Sequence, residues 1–205
     1  MISEIMLPEL RRLVEARLSP NRFSHTLGVE RLAAFLGNML IPMDTAELRA
    51  AALLHDIAKE IPIEDQIKML SENKFSLTEE DKKTPGVIHS FTAPIIIKRD
   101  FPEFATQRLE GAVRKHTVGS SGMSIFDKII FISDYAEDTR VYDSCRSVRA
   151  FLLKDFSELS YEERLARLND ACIESVKGVI EAIKRAGRPI NSRIIKTYDF
   201  LMKQK

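Results

Sequence analysis

Helix-start signals at short intervals constrain this chain more than any other feature. Thr78-x-x-Asp81, Ser124-x-x-Asp127 and Ser160-x-x-Glu163 have capping-box spacing. In that motif a hydroxyl and a carboxylate three positions apart satisfy each other's backbone N–H groups. Asp44-x-x-Glu47 has the same spacing and opens "AELRAAALLHDIAKE", which Pro62 closes. Ser19-Pro20 precedes "NRFSHTLGVERLAAFLG", with Pro suited to a first helical turn and Gly37 near the end. "YEERLARLNDACIESVKGVIEAIKRAG" reads as one long amphipathic helix stopped at Gly187 and Pro189, and a last helix starts near Asn191.

Convincing alternation at period two is absent. "VIHSFTAPIIIKRDF" and "DKIIFISDY" are rich in β-formers, yet their setting among caps and charges assigns them to buried helices, with Pro94 in a first turn. The polar segment "SENKFSLTEEDKKTPG" reads as a mobile insertion. These signals predict an all-α fold.

The 205 residues suit a single domain, and 44% hydrophobic with 30% charged residues is the balance of a globular chain with a sizeable core. A net charge of +1 excludes a broad basic surface for nucleic acid, so attraction to phosphates must be local. Cys145 and Cys172 have no CxxC spacing and read as two reduced thiols. The N-terminal "MISEIMLPELRRLVEARL" is an amphipathic helix and no signal peptide. No run reaches the roughly 18 apolar residues of a membrane span, so the expected location is the cytoplasm.

Against that background the stretch "AAALLHDIAKEIP" is anomalous. Ala50 to Leu54, Ile57 and Ala58 suit a packed core, but His55 and Asp56 stand among them. A neutral imidazole is tolerable there with one hydrogen bond; a charged carboxylate needs a partner or a cation. Three further histidines also sit among helix-like residues: His25 in "RFSHTLGV", His89 in "VIHSFTA" and His116 in "VRKHTVG". Asp134 adds a carboxylate to the apolar run "IIFISDYAEDTR". Each histidine taken singly is explained as a core residue. Together they are an imidazole and carboxylate ligand set for Fe, Mn, Zn or Ni, without the thiolates of a structural zinc site. Neighbouring residues on a helix point about 100° apart, so His55 and Asp56 can straddle an ion only in a groove between helices. His25 and Asp134 are apt to complete the set from neighbouring helices.

The order His, His-Asp, His, His, Asp resembles the HD superfamily of metal-dependent phosphohydrolases. More closely, "RFSHTLGV", "AALLHDIAKE", "KHTVG", "MSIFDKIIFISDYAEDTR" and "INSRIIKTYDFL" are similar, in order and spacing, to the YqeK-type symmetrical bis(5'-nucleosyl)-tetraphosphatases. The likeness runs from about Arg22 to Leu201. The chain departs from that group at "SFTA" after His89, where a Gly-rich stretch is usual, at "HTVG" for "HTTG", and at Asp138 for Pro. None of these departures removes a ligand.

The resemblance implies an HD-domain helical bundle over residues 1–205, with a core of about 19–140 and C-terminal helices of about 145–205 packed on it. It implies a metal site between central helices, with His25, His55, Asp56 and Asp134 holding the first ion. That ion is expected to be iron, with Mn, Ni or Zn compatible. His89 and His116 either bind a second ion bridged by Asp56 or touch phosphate directly. The implied reaction is cleavage of diadenosine tetraphosphate to two ADP, by attack of a metal-bound hydroxide on an inner phosphate. Asp56 and Lys59 carry catalysis in this reading.

Beside each phosphate-contact role stands a structural alternative. Lys59, three and four residues after Asp56 and His55, rises on the same side of a helix as both, or is a solvated lysine near a helix C-terminus. Arg22 reaches a phosphate or forms a surface ion pair. Arg140 clamps the leaving ADP as a planar fork or pairs with Glu137 along its helix. Thr117 donates to a phosphate oxygen or caps its helix. Asp127 reads as a cap, Arg114 and Lys115 as a solvated basic pair, and Phe126, Ile130 and Phe131 as core.

Three rivals remain at this level. A related HD nucleotidase or triphosphohydrolase keeps the same ligands and differs in its pocket. A non-catalytic nucleotide- or metal-sensing module is opposed by the completeness of the ligand set. A chain with no site predicts that His55→Ala alters stability alone. The expected partner is a small dinucleoside polyphosphate, with no nucleic acid and no membrane, and the exposed face of the long C-terminal helix is compatible with a homodimer.

Overall fold

The computed structural model describes residues 2–205, and among these there is no strand. After a short 3₁₀ turn the elements are α1 (Leu7–Glu15), α2 (Pro20–Leu40), α3 (Thr45–Leu54), α4 (Ile63–Glu72), α5 (Glu79–Lys83) and α6 (Ile88–Asp100). They continue as α7 (Gln107–Lys115), α8 (Ile125–Ala136), α9 (Asp143–Leu153), α10 (Tyr161–Arg185) and α11 (Ser192–Met202). No helix among the described residues is long and apolar enough to cross a membrane. The all-α expectation holds.

The predicted capping boxes at Thr78, Ser124 and Ser160 are all present, each with both reciprocal bonds, and they open α5, α8 and α10. Asp44 is the exception. It precedes α3 but makes no side-chain cap; it and Glu47 instead bind the guanidinium of Arg108, which draws the start of α3 toward α7. A charge-assisted hydrogen bond from a guanidinium outcompetes one from a neutral backbone N–H for a carboxylate.

Central α2 packs against α3 and α8, and α7 closes against α3, α6 and α8. Apolar residues from Ile2 to Leu201 form one continuous cluster, with Leu48, Leu53, Leu54, Ile129, Ile130 and Ile132 wholly buried. The helices α9 and α11 flank α10, which lies on α8. A buried lysine ties this layer to the chain end: Lys128 Nζ donates to Asn169 Oδ1 at 2.8 Å and to Gln204 Oε1 at 2.6 Å.

Three local expectations need correction. First, α3 stops at Leu54, and His55 to Glu60 follow as turns, with Ile57 N bonded to Leu54 O and Lys59 N to Asp56 O. Second, Pro94 lies well inside α6, which starts at Ile88, and not in a first turn. The helix survives a residue with no N–H because both flanks are buried, with Phe91, Ala93, Ile96 and Ile97 in the core. Third, the polar segment read as a mobile insertion is tied down. Its α5 is held by α11 through Arg193 to Asp81 at 3.1 Å, Ser192 to Glu80, and Asn191 to Thr84 at 2.9 Å.

Candidate metal centre

The helical string delivers its four histidines to one place. His25 comes from the second turn of α2, His55 and Asp56 from the turn after α3, His89 from the start of α6, His116 from the end of α7, and Asp134 from the last turn of α8. All except Asp134 are buried.

Backbone and side-chain acceptors fix three of the four rings. His55 Nδ1 lies 2.6 Å from Ala52 O, His116 Nδ1 lies 2.6 Å from Val113 O, and His25 Nδ1 lies 3.1 Å from Glu137 Oε1. Each acceptor holds the proton on Nδ1 and leaves the Nε2 lone pair free, the arrangement in which metal-binding imidazoles are usually held.

Those lone pairs converge on the carboxylates. Asp56 Oδ2 faces His55 Nε2 at 3.5 Å and His25 Nε2 at 3.8 Å. Its other oxygen, Oδ1, faces His89 Nε2 at 3.2 Å and His116 Nε2 at 3.5 Å. Asp134 Oδ1 lies 3.1 Å from His25 Nε2 and 3.8 Å from His55 Nε2. His25 Nε2, His55 Nε2 and Asp56 Oδ1 are buried, yet none has a hydrogen-bond partner. Orphaned buried polar atoms are costly, and three at one point are the mark of a cation site. The donor atoms of His25, His55 and Asp134 lie within 4.8 Å of one another, as do those of His55, Asp56 and His116. This donor set fits a divalent ion.

Electrostatics agree. Burial alone would raise the Asp56 carboxyl; positive charge among the surrounding imidazoles, His55 first, holds it well below the ordinary carboxylate range, and a bound cation supplies that charge when the rings are neutral. Asp134 is likewise held down against burial, by His25 and Arg140. Burial pushes His89 down to about 4, so its ring is neutral and able to act as a ligand.

Cations surround this anionic centre. Arg22 Nη1 lies 2.8 Å from Asp56 Oδ2, and Arg140 Nη2 lies 2.7 Å from Asp134 Oδ1. Arg140 therefore binds Asp134 first, with Glu137 a weaker contact at 3.8 Å. Lys59 Nζ is 3.2 Å from His89 Nε2 and 4.0 Å from Asp56 Oδ1. Thr117 Oγ1 is 3.0 Å from His116 Nε2 and 3.2 Å from His89 Nε2. Asp127 is a cap, as expected, but Lys115 and Arg114 are not a solvated pair. Lys115 binds Asp127 at 2.7 Å, and Arg114 lies over the ring of Phe75 at 5.4 Å.

Glu137 was legible only as an ion-pair partner for Arg140. It is wholly buried, supports His25, and accepts from Thr139 N at 2.6 Å. Its signal in the sequence is Gly28, three residues after His25: a Cβ there would collide with Glu137 Oε2.

Residues 22–161 match the family model described as HD domain. The chain belongs to that family.

The HD-domain chain is 26% identical, over 92% of its length and 94% of the relative's, to a Bacillus subtilis (strain 168) protein named "Bis(5'-nucleosyl)-tetraphosphatase, symmetrical". A protein of the same name from Halalkalibacterium halodurans is 28% identical over 93% of this chain and 94% of its own. A crystal structure from Clostridium acetobutylicum, described as a predicted HD superfamily hydrolase involved in NAD metabolism, superposes with a TM-score of 0.83 at 25% identity. That superposition covers 97% of this chain and 98% of the other.

Proposed function

We propose that this HD-domain chain hydrolyses symmetrical dinucleoside tetraphosphates, diadenosine tetraphosphate foremost, to two nucleoside diphosphates. One observation carries the reading: the two oxygens of Asp56 face different histidine pairs, Oδ2 toward His25 and His55, Oδ1 toward His89 and His116. A carboxylate so placed is suited to lie between two ions. The name shared by relatives matched over nearly their whole length supports the substrate class.

His25, His55, Asp56 and Asp134 would hold the first ion, and His89 and His116, with Asp56, the second. Iron is the ion we assign, and Mn, Ni or Zn accept the same donors. When bound, such an ion supplies a water of lowered pKa and offsets phosphate charge.

The chain's own residues do the rest. Lys59, Arg22 and Arg140 are partly exposed, with 32%, 27% and 32% of their side-chain surface open, so they can meet an anionic substrate from water while flanking the buried centre. Lys59 and Thr117 stand on the His89 and His116 side and are placed to hold the phosphate under attack. The planar fork of Arg140, at the Asp134 side, is placed to take the charge of the departing diphosphate. An oxygen–phosphorus bond forms to water as the central P–O–P bridge breaks, and the symmetric products follow from attack beside that bridge.

Anaerobically prepared, iron-loaded protein incubated with diadenosine tetraphosphate, with products separated by ion exchange, tests the reading. ADP as sole product, lost in Asp56→Ala, is the expected result. AMP with ATP, or no turnover, would overturn the substrate assignment and favour an HD nucleotidase.

A further inference from the structure

Two clefts meet at Thr117, which lines both. The first is lined by His116 and Asp134 themselves, and the second adjoins the His–Asp centre through Thr117, whose Oγ1 is 3.0 Å from His116 Nε2. The first, of about 600 Å³, runs from Asp134 and Arg140 past Tyr135 to the face of α10 at Gly178. The second, of about 420 Å³, runs the other way, between the Lys83–Val87 segment and the turn that joins α10 to α11. Val179 and Ile183, about one turn apart on α10, line both clefts and form the ridge between them.

We propose that the second cleft holds the second nucleoside of the dinucleotide, with the first nucleoside against Tyr135 and the tetraphosphate crossing between them at Thr117. This rests on the tetraphosphatase reading above. Cleavage at the central bridge requires that bridge to lie over the His–Asp centre, so the two nucleosides must leave in different directions. A phosphatase of mononucleotides needs one such cleft; here a second cleft joins the first at Thr117, beside His116.

The second cleft has the character of a nucleoside site. Pro85, Val87, Pro189 and Ile194 give it apolar walls, and its volume is within the range for bound ligand fragments. Lys83 and Arg188 are exposed at its rim and make no ion pair among the described residues, so their charge is available to phosphate. Gly86 is exposed on the same wall, and a Cβ there would meet nothing of the protein within 4 Å. A side chain can therefore be added at this wall without disturbing the core.

Gly86→Trp adds bulk at the wall of the cleft, and Arg188→Glu reverses the charge at its rim. The measurement is the KM for diadenosine tetraphosphate on metal-loaded protein, set against the inhibition constant of adenosine 5'-tetraphosphate, which carries one nucleoside. In Gly86→Trp, KM is expected to rise by about tenfold or more while the inhibition constant moves by less than about threefold. Arg188→Glu, at a surface position, is expected to raise KM in the same direction and stands in if the tryptophan variant does not fold. Unchanged KM in both variants, or equal losses for the two ligands in Gly86→Trp at unaltered melting temperature, would overturn the second site. Wild-type protein that fails to hydrolyse the dinucleotide would overturn the tetraphosphatase reading instead.

Discussion

Thr197 of the last helix grips the loop that carries Thr117. Its single hydroxyl proton serves two carbonyls, Val118 O at 2.8 Å and Arg193 O at 2.9 Å, and its side chain lies against Gly119. Gly119 has φ +67°, so two constraints meet at one residue: a left-handed backbone and no room for a Cβ. Gly119→Ala is expected to cost more than about 2 kcal/mol, the left-handed penalty plus overpacking against Thr197. Thr197→Val is expected to cost about 1 kcal/mol for the lost hydrogen bond. Urea unfolding would show both. Equal stability of Gly119→Ala and wild type would mean that the loop is not locked to α11.

Glu137 positions His25 through its Nδ1. Glu137→Gln is expected to weaken metal retention by about 10- to 100-fold, the usual effect of losing a ligand's outer support, which dialysis against graded chelator would measure. Gly28→Ala should act in the same direction. Alanine within α2 would gain about 1 kcal/mol in helix propensity, but its methyl would collide with Glu137. Retention of metal by both variants would remove Glu137 from the site's support.

Asp100 sets part of the acid limit. Its hydrogen bond to Arg99, opposed by partial burial and joined by Arg17 at 2.5 Å, lowers its pKa to about 2 from 3.8. The carboxyl is more acidic when folded, so its contribution is complete above pH 3.8 and is lost as pH falls through about 2. Both arginines are exposed to water and screened by it, so the amount is about 0.5–1 kcal/mol. Asp100→Asn should be less stable than wild type at pH 6, with the gap closing in acid. A gap independent of pH would assign the loss to packing.

Cys172 should be inert. It is wholly buried, and burial pushes its thiol up to about 12, so the nucleophilic thiolate is scarce at neutral pH. In a Cys145→Ser background, native protein at pH 8 is expected to take up no alkylating agent on the timescale that labels the unfolded chain fully. Rapid native labelling would show that the α8–α10 interface opens.

Much of the fold was legible because caps are local. Thr78, Ser124 and Ser160 each needed only a carboxylate three residues on, and each delivered its helix. Asp44 failed for a non-local reason, since Arg108, distant in sequence, took the carboxylate. The polar segment before α6 misled in the same way: its composition suggests mobility, but the groups that anchor it, Asn191, Ser192 and Arg193, lie more than a hundred positions later.

The sequence by itself determined that the chain is helical and that imidazole and carboxylate ligands stand where apolar residues were expected, because composition, spacing and capping chemistry are properties of short windows. Only the tertiary structure decided which oxygen of Asp56 faces which histidines, that Arg140 binds Asp134 ahead of Glu137, and that Glu137 stands behind His25. It also decided that two clefts part at Thr117. Those relations depend on how α2, α3, α6, α7, α8 and α10 pack, and packing is settled by the whole apolar cluster at once rather than by any one segment.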